Sequence, residues 1–369
     1  MRAKKFIFKV CIAAPLLAFA CCGDKTPEPK EYDRAALTAN MGGRIIQPAY
    51  NGLAEKATAL SAVQLQFRHS VTVGMLDSLQ SAFQEAWLSW KRCSPFEFGP
   101  ASEVTLRSIL NTFPCDTAQI RTNFMSGTWD LNLAVNTDAR GFPALDFLLH
   151  GLGPDDAGIV GRYQSPADSA RLQAYLAAVV ADIRSHAVNV ADQWNGGYLG
   201  TFKGNLGTDV GSSTSLIVNE LNRDLEIIKT ASIGIPLGKQ TFDAPLPGKS
   251  EGYFSGLSQT LMKAGLAALS AIYEGQAPGA AEGYGLHEAL AAVEADYHGG
   301  DLGDAIRQQF SAAQTALDAV PEPFSAAVVS SRPSVEAAYL EIQKLVVLLK
   351  TDMASALSIL ITYTDADGD

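Results

Sequence analysis

The sequence predicts an all-α protein made of two similar four-helix bundles packed side by side. Three observations predict it. The apolar residues recur with a helical period along nearly the whole chain, the long patterned segments fall into two sets of four, and no stretch alternates as a strand would. Four long amphipathic helices per half is the arithmetic of a four-helix bundle.

The chain opens with a segment that stands apart from the fold. Arg2, Lys4, Lys5 and Lys9 precede a short apolar run from Val10 to Ala20, and Cys21 and Cys22 follow at once. This is the order of an export signal, and the apolar run is too short to span a membrane. A cysteine directly after "LAFA" reads as an acylation site, with the small Ala20 before the cleavage point favouring Cys21 over Cys22. Residues 1–21 are therefore expected to be a lipoprotein signal peptide. Residues 22–33, "CGDKTPEPKEYD", read as a polar tether. Membrane attachment through a lipid anchor, in the cell envelope and at the outer membrane, follows as an expectation, on its periplasmic or its surface face.

The first bundle is expected over 34–200. Its helices are read at about 43–69, 73–93, a broken region over 116–151, and 166–195. Ile46, Tyr50, Leu53, Ala57 and Leu60 stripe the first helix; Leu76, Leu79, Phe83, Trp87 and Trp90 stripe the second. The glycine-rich "NGGYLGTFKGNLG" then reads as a crossover. The second bundle is expected over 201–369, with helices at about 205–230, 250–274, 301–320 and 332–358 and a short piece at 285–297. Val335, Tyr339, Ile342, Leu345, Leu349, Met353 and Leu357 stripe its last helix, which Pro333 suits as a first-turn residue.

Composition narrows the function. The formal charge of the 369-residue chain is −11, and losing Arg2, Lys4, Lys5 and Lys9 with no acid takes it to −15. An acidic body of this kind argues against nucleic acid as a partner. It is expected to act as a monomer. Once the signal is removed and Cys21 and Cys22 are assigned to the anchor, Cys93 and Cys115 remain. An exported chain meets an oxidising compartment, so a Cys93–Cys115 disulfide worth about 3 kcal/mol is the favoured reading, with two free buried thiols as the alternative.

Several motifs fail on inspection. "HEALA" at His287–Ala291 lacks the second histidine of a zinc-protease helix, and "DADGD" ends the sequence before a calcium loop's later ligands. His69, His186 and His298 read as surface or capping residues. Three stretches carry more. "GFPALDFLLHG" is an apolar helix with one acid, Asp146, and a histidine, His150, four residues on. "AWLSWKRCSPFEFGP" joins a Trp-rich helix end to an aromatic loop. "PLPGKSEGYFSGLS" reads as a helix start with Glu251, Ser255 and Ser258 facing one way.

Together with the terminal "ITYTDADGD", these stretches resemble the imelysin-like family of bacterial exported proteins, over nearly all of the chain from about Arg34. The resemblance implies two similar four-helix bundles and a functional site where they meet. It also implies a link to iron uptake, in a family once grouped with metallopeptidases for a GxHxxE motif. The motif carries over in part. Gly141 matches its glycine, Pro143 stands at the histidine position and Asp146 at the glutamate position. Pro143 has no donor atom, so the nitrogen–carboxylate pair that such a helix offers a metal is broken.

Two readings of Asp146 stand open. It is a first-turn acid facing the positive end of its helix, or it lines a polar cleft between bundles, with iron or another divalent cation possible there. Asp146 and His150 are spaced to share a face, so a shifted Asp/His ligand pair is a further, weaker reading. His150 alternatively serves the helix C-terminus beside Gly151. Glu251 is read as a second cleft acid or a first-turn acid of its own helix. Ser255 is read as a hydrogen-bonding neighbour or a small packing residue. The leading expectation is a lipid-anchored binding protein that takes a ligand or iron-uptake component at the cleft. The alternatives are an envelope metallopeptidase and a metal-free surface interaction protein.

Overall fold

In the helix α1 (Gln47–His69), Tyr50, Leu53, Ala57, Leu60 and Phe67 are fully buried, the stripe that a period of 3.6 places on one face. The computed structural model describes residues 31–277 and 282–363. The expected signal peptide, Cys21 and Cys22, the tether up to residue 30 and the terminal "DADGD" lie outside the described residues. Among the described residues no helix is long and apolar enough to cross a membrane.

The described chain is helical almost throughout. A helix over Arg34–Asn40 runs into α1 through a π-helical stretch, Met41–Ile46. Ser70 ends α1, and Thr72 caps α2 (Val73–Lys91) by accepting the Met75 N–H. The short helices Leu106–Asn111 and Thr117–Ser126 precede α3 (Gly141–His150) and α4 (Ser169–Gln193). The second half holds α5 (Ser213–Ile227), α6 (Ser258–Tyr273), the short α7 (Leu286–Ala292), α8 (Leu302–Asp318) and α9 (Arg332–Val347). Between α7 and α8 sits one two-stranded hairpin, β1 (Asp296–Tyr297) with β2 (Gly300–Asp301), paired antiparallel.

Packing follows the stripes. α1 lies against α2 and α4, and α3 packs on α4 and α2. α8 lies against α9 and α6. The two sets meet where α6 crosses α2 and where the single turn Ser94–Phe96 rests on α5. The buried apolar residues form one continuous cluster across both sets. The first helix also belongs to both: Asn40 donates its side-chain N–H to the carbonyls of Gly275 and Tyr284, at 2.7 and 3.1 Å.

Two expectations change here. The glycine-rich crossover is helical over Trp194–Gly204 and bends at Gly197, whose φ of 139° a side chain rarely adopts. Cys93 and Cys115 are both free thiols and form no bridge. Cys93 is buried in the core at the end of α2, while Cys115 lines a cavity beside Pro143, so the two occupy different surroundings.

Candidate functional site

The helix α3 is fixed from its first residue. Gly141 has φ +72°, and a Cβ there would stand 2.5 Å from the Leu110 carbonyl oxygen and 2.6 Å from that of Ile109. Only glycine lets the chain turn that close beneath the helix Leu106–Asn111. Phe142 then stacks on Trp87 with ring centroids 5.9 Å apart, and Leu145, Leu148 and Leu149 are fully buried. Pro143 falls in the first turn, where its missing N–H costs nothing.

Asp146 lies in the middle of α3, not in its first turn, so the macrodipole reading fails. Its carboxylate instead crosses to the other half of the chain. Oδ2 accepts the Phe254 N–H at 2.9 Å and Oδ1 accepts the Ser255 N–H at 3.0 Å. The residue is 2 % exposed. Burial pushes its carboxyl up to about 6, against the pull of these hydrogen bonds, and the nearby Glu251 carboxylate adds to the rise.

The acceptor's partners come from a turn, not from a helix. Residues 251–256 form a turn in which Gly252 and Gly256 take φ of 66° and 74°, and α6 starts only at Ser258. Glu251, Ser255 and Ser258 therefore do not share a helix face, because two left-handed glycines break the helical spacing. Phe254 packs edge-on against Phe147, 5.1 Å between centroids. Gly151 makes room, since a Cβ there would sit 2.7 Å from the Phe254 ring. Gly151 ends α3 at φ −105°, outside the left-handed region.

Asp146 and His150 do not act together. The Nδ1 atom of His150 faces the Gln80 amide at 3.4 Å, its ring lies 5.9 Å from that of Phe83, and its Nε2 is buried without a hydrogen-bond partner. Burial lowers the imidazole to about 4. One side chain faces the second half and the other faces α2.

Asp146 forms part of the wall of a cavity of about 230 Å³ between the halves. Phe113, Pro114, Cys115 and Pro143 line one side, Lys249 and Tyr253 the other. Deeper in the same seam lies a buried polar network. Glu251, 1 % exposed, takes the Lys91 ammonium at 3.1 and 3.2 Å, the Asn111 amide at 2.9 Å and the Ser232 hydroxyl at 3.3 Å. The Trp87 indole N–H holds Asn111 in turn at 2.9 Å. Glu251 is thus a charge already paired with Lys91, not a bare acid in the cleft. Beside it Arg107 donates to Glu220 at 2.8 Å and stands 4.0 Å from Asp224, which accepts the Ser94 hydroxyl at 3.0 Å. The Arg107 backbone N–H meets the Glu97 carboxylate, which burial raises to about 7.

Sequence reasoning missed Lys91, Asn111, Arg107 and Asp224. A signal existed for the first: Lys91 follows Trp87 by four residues and so continues the buried stripe of α2. Asn111 and Arg107 sit in a short broken helix, where periodicity carries little information.

The family model described as Imelysin matches residues 46–351. The chain belongs to the imelysin family. Among solved structures, this imelysin-family chain is similar to a putative iron-regulated protein A precursor from Parabacteroides distasonis ATCC 8503. The identity is 19 % over 90 % of this chain and 97 % of that one, with a TM-score of 0.72. An Imelysin-like protein from Psychrobacter arcticum 273-4 is similar at 16 % identity, over 89 % and 97 % of the two chains, with a TM-score of 0.63. At these identities the likeness concerns the fold. No curated protein matches the sequence.

Proposed function

We propose that this imelysin-family chain is an exported, lipid-anchored binding protein of the cell envelope with a role in iron uptake. Its ligand or partner is held at the cleft between two bundles, one over 34–200 and the other over 201–369. The observation that supports the reading is the bond of Asp146 to Phe254 and Ser255 across the seam, beside a 230 Å³ cavity that Pro143 and Asp146 help to line. The signal-like N-terminus with Cys21 supports export and anchoring, and the family supports the link to iron.

The arrangement favours binding over peptidase chemistry. A catalytic metal needs about three protein donors and an open position. Pro143 offers no donor, both Asp146 oxygens already accept backbone N–H groups, and Glu251 is held by Lys91. A strain lacking the gene tests the role: it should grow more slowly than its parent on chelated iron and equally on replete iron. Equal growth on chelated iron would refute it. Labelling with a fatty acid that is lost in Cys21→Ala tests the anchor.

A further inference from the structure

The second half holds a convergence of ligating atoms that the seam does not use. It begins at the N-terminus of α7. The Gly285 N–H donates to Glu288 Oε2 at 2.7 Å, which fixes that carboxylate beside the neighbouring ring: Oε1 lies 3.5 Å from His287 Nδ1. The other ring nitrogen, Nε2, faces Asp304 Oδ1 at 3.8 Å, in the first turn of α8. Asp301 stands at the foot of the same helix and caps it, accepting the Asp304 N–H at 2.8 Å. One ligand atom each from His287, Asp301 and Asp304 lies within 4.8 Å of the other two.

The fold presses these groups together. The Tyr273 hydroxyl donates to the Gly303 carbonyl at 2.9 Å, and its ring packs edge-on to His287 with 6.0 Å between centroids. A Cβ on Gly303 would come within 2.9 Å of the imidazole, so glycine there lets the ring reach the start of α8. In the sequence His287 has Leu290 where an acid of its own helix would stand; the carboxylates come from α8 instead.

One imidazole nitrogen with two carboxylates suits a divalent first-row transition ion better than calcium or magnesium, which take oxygen. Two donors about 2.1 Å from one ion stand about 3–3.5 Å apart at tetrahedral or cis-octahedral angles, so small rotations of Asp301 and Asp304 close the set. Both acids are exposed, which leaves the remaining positions to water. Glu288 supplies what a metal-bound imidazole usually has, a carboxylate on its far nitrogen. Arg307 also reaches Asp304 Oδ1, at 3.2 Å, but Glu274 clamps its guanidinium at 2.9 and 2.7 Å.

We infer that His287, Asp301 and Asp304 form a surface site for one divalent first-row transition ion, with Glu288 orienting the imidazole. The site shares no residue with the Asp146 cavity and stands independently of the proposed function. Calorimetric titration of the metal-free protein with Zn²⁺ at neutral pH tests it. One equivalent should bind, and His287→Gln and Asp304→Asn should each weaken it at least about tenfold. His298→Ala, in the adjacent hairpin, should leave it unchanged, and Ca²⁺ should not displace the zinc. Circular dichroism melts of the metal-free variants establish that each is folded. The site is overturned by affinity weaker than about 1 mM, by His287→Gln binding as well as the parent, by loss in His298→Ala, or by displacement with Ca²⁺.

Discussion

The Lys91 ammonium lies 3.1 and 3.2 Å from the two carboxylate oxygens of Glu251, and both side chains are almost entirely withdrawn from water. The pair joins α2 to the turn before α6. Removing one partner leaves the other charged and unpaired in the interior, so Lys91→Met should cost about 3–5 kcal/mol. The double variant Lys91→Met, Glu251→Leu should be less destabilised than the two single changes summed. Urea unfolding of all four proteins measures this; strict additivity would show that the pair does not couple.

Asp146 accepts two backbone N–H groups that no other described group takes. Asp146→Ala orphans both donors and should cost about 1–3 kcal/mol per buried group, less where water enters. The local signature is sharper than the global one. Hydrogen exchange at the Phe254 and Ser255 amides should accelerate more than at amides within α9.

One buried carboxyl, Asp146, and one half-buried carboxyl, Glu97, give stability a pH slope. Asp146 is raised to about 6 and Glu97 to about 7, both chiefly by burial. Between the unfolded values near 4 and these raised ones, the folded state holds more protons than the unfolded state. The contribution of each group is therefore fully present below about pH 4 and is lost as pH rises to 6 or 7. Glu97→Gln keeps an acceptor for the Arg107 N–H and should flatten the decline in Tm between about pH 4.5 and 7. An unchanged slope in that variant would assign the decline elsewhere.

Glycine is required at one end of α3 and dispensable nearby. Gly141→Ala sets a Cβ against two carbonyl oxygens at positive φ, and should cost more than the about 1 kcal/mol typical of a point change. Gly161→Ala, in the helix Asp156–Gln164 with open space around it, should stabilise by about 0.4–1 kcal/mol. Thermal melts of the two variants should move in opposite directions.

The two thiols, Cys93 buried and Cys115 half-buried, are unbridged and hard to ionise. Burial raises the Cys93 thiol far above its ordinary value and pushes Cys115 up to about 12, with Asp146 adding to the latter. Mild oxidation should leave both alkylatable after denaturation, and alkylation of the native protein should be slow. A mass corresponding to a Cys93–Cys115 bridge would contradict the free state.

The helices were legible because long stripes dominate their packing. Leu76, Leu79, Phe83, Trp87 and Trp90 are all fully buried, as their spacing predicts. What was not legible depends on contacts distant in sequence. The Asp146 position was singled out, but its partners, 108 and 109 residues away, were not. The stretch 251–256 shows why: its sequence suggests a helical spacing, but Gly252 and Gly256 take left-handed conformations that make it a turn. The expected Cys93–Cys115 disulfide rests on compartment and cysteine count, and neither constrains where two short loops lie in space.

Because the 230 Å³ cavity is walled by residues near 113–117, Pro143 and Asp146 on one side and by residues of 248–254 on the other, any molecule seated there touches both halves at once. Its binding and the cohesion of the seam are then one equilibrium seen from two sides. A ligand at a hundred times its dissociation constant would add about 2.7 kcal/mol to the stability of the folded chain. Changes that loosen the seam, such as the loss of Lys91, would weaken the ligand without ever contacting it.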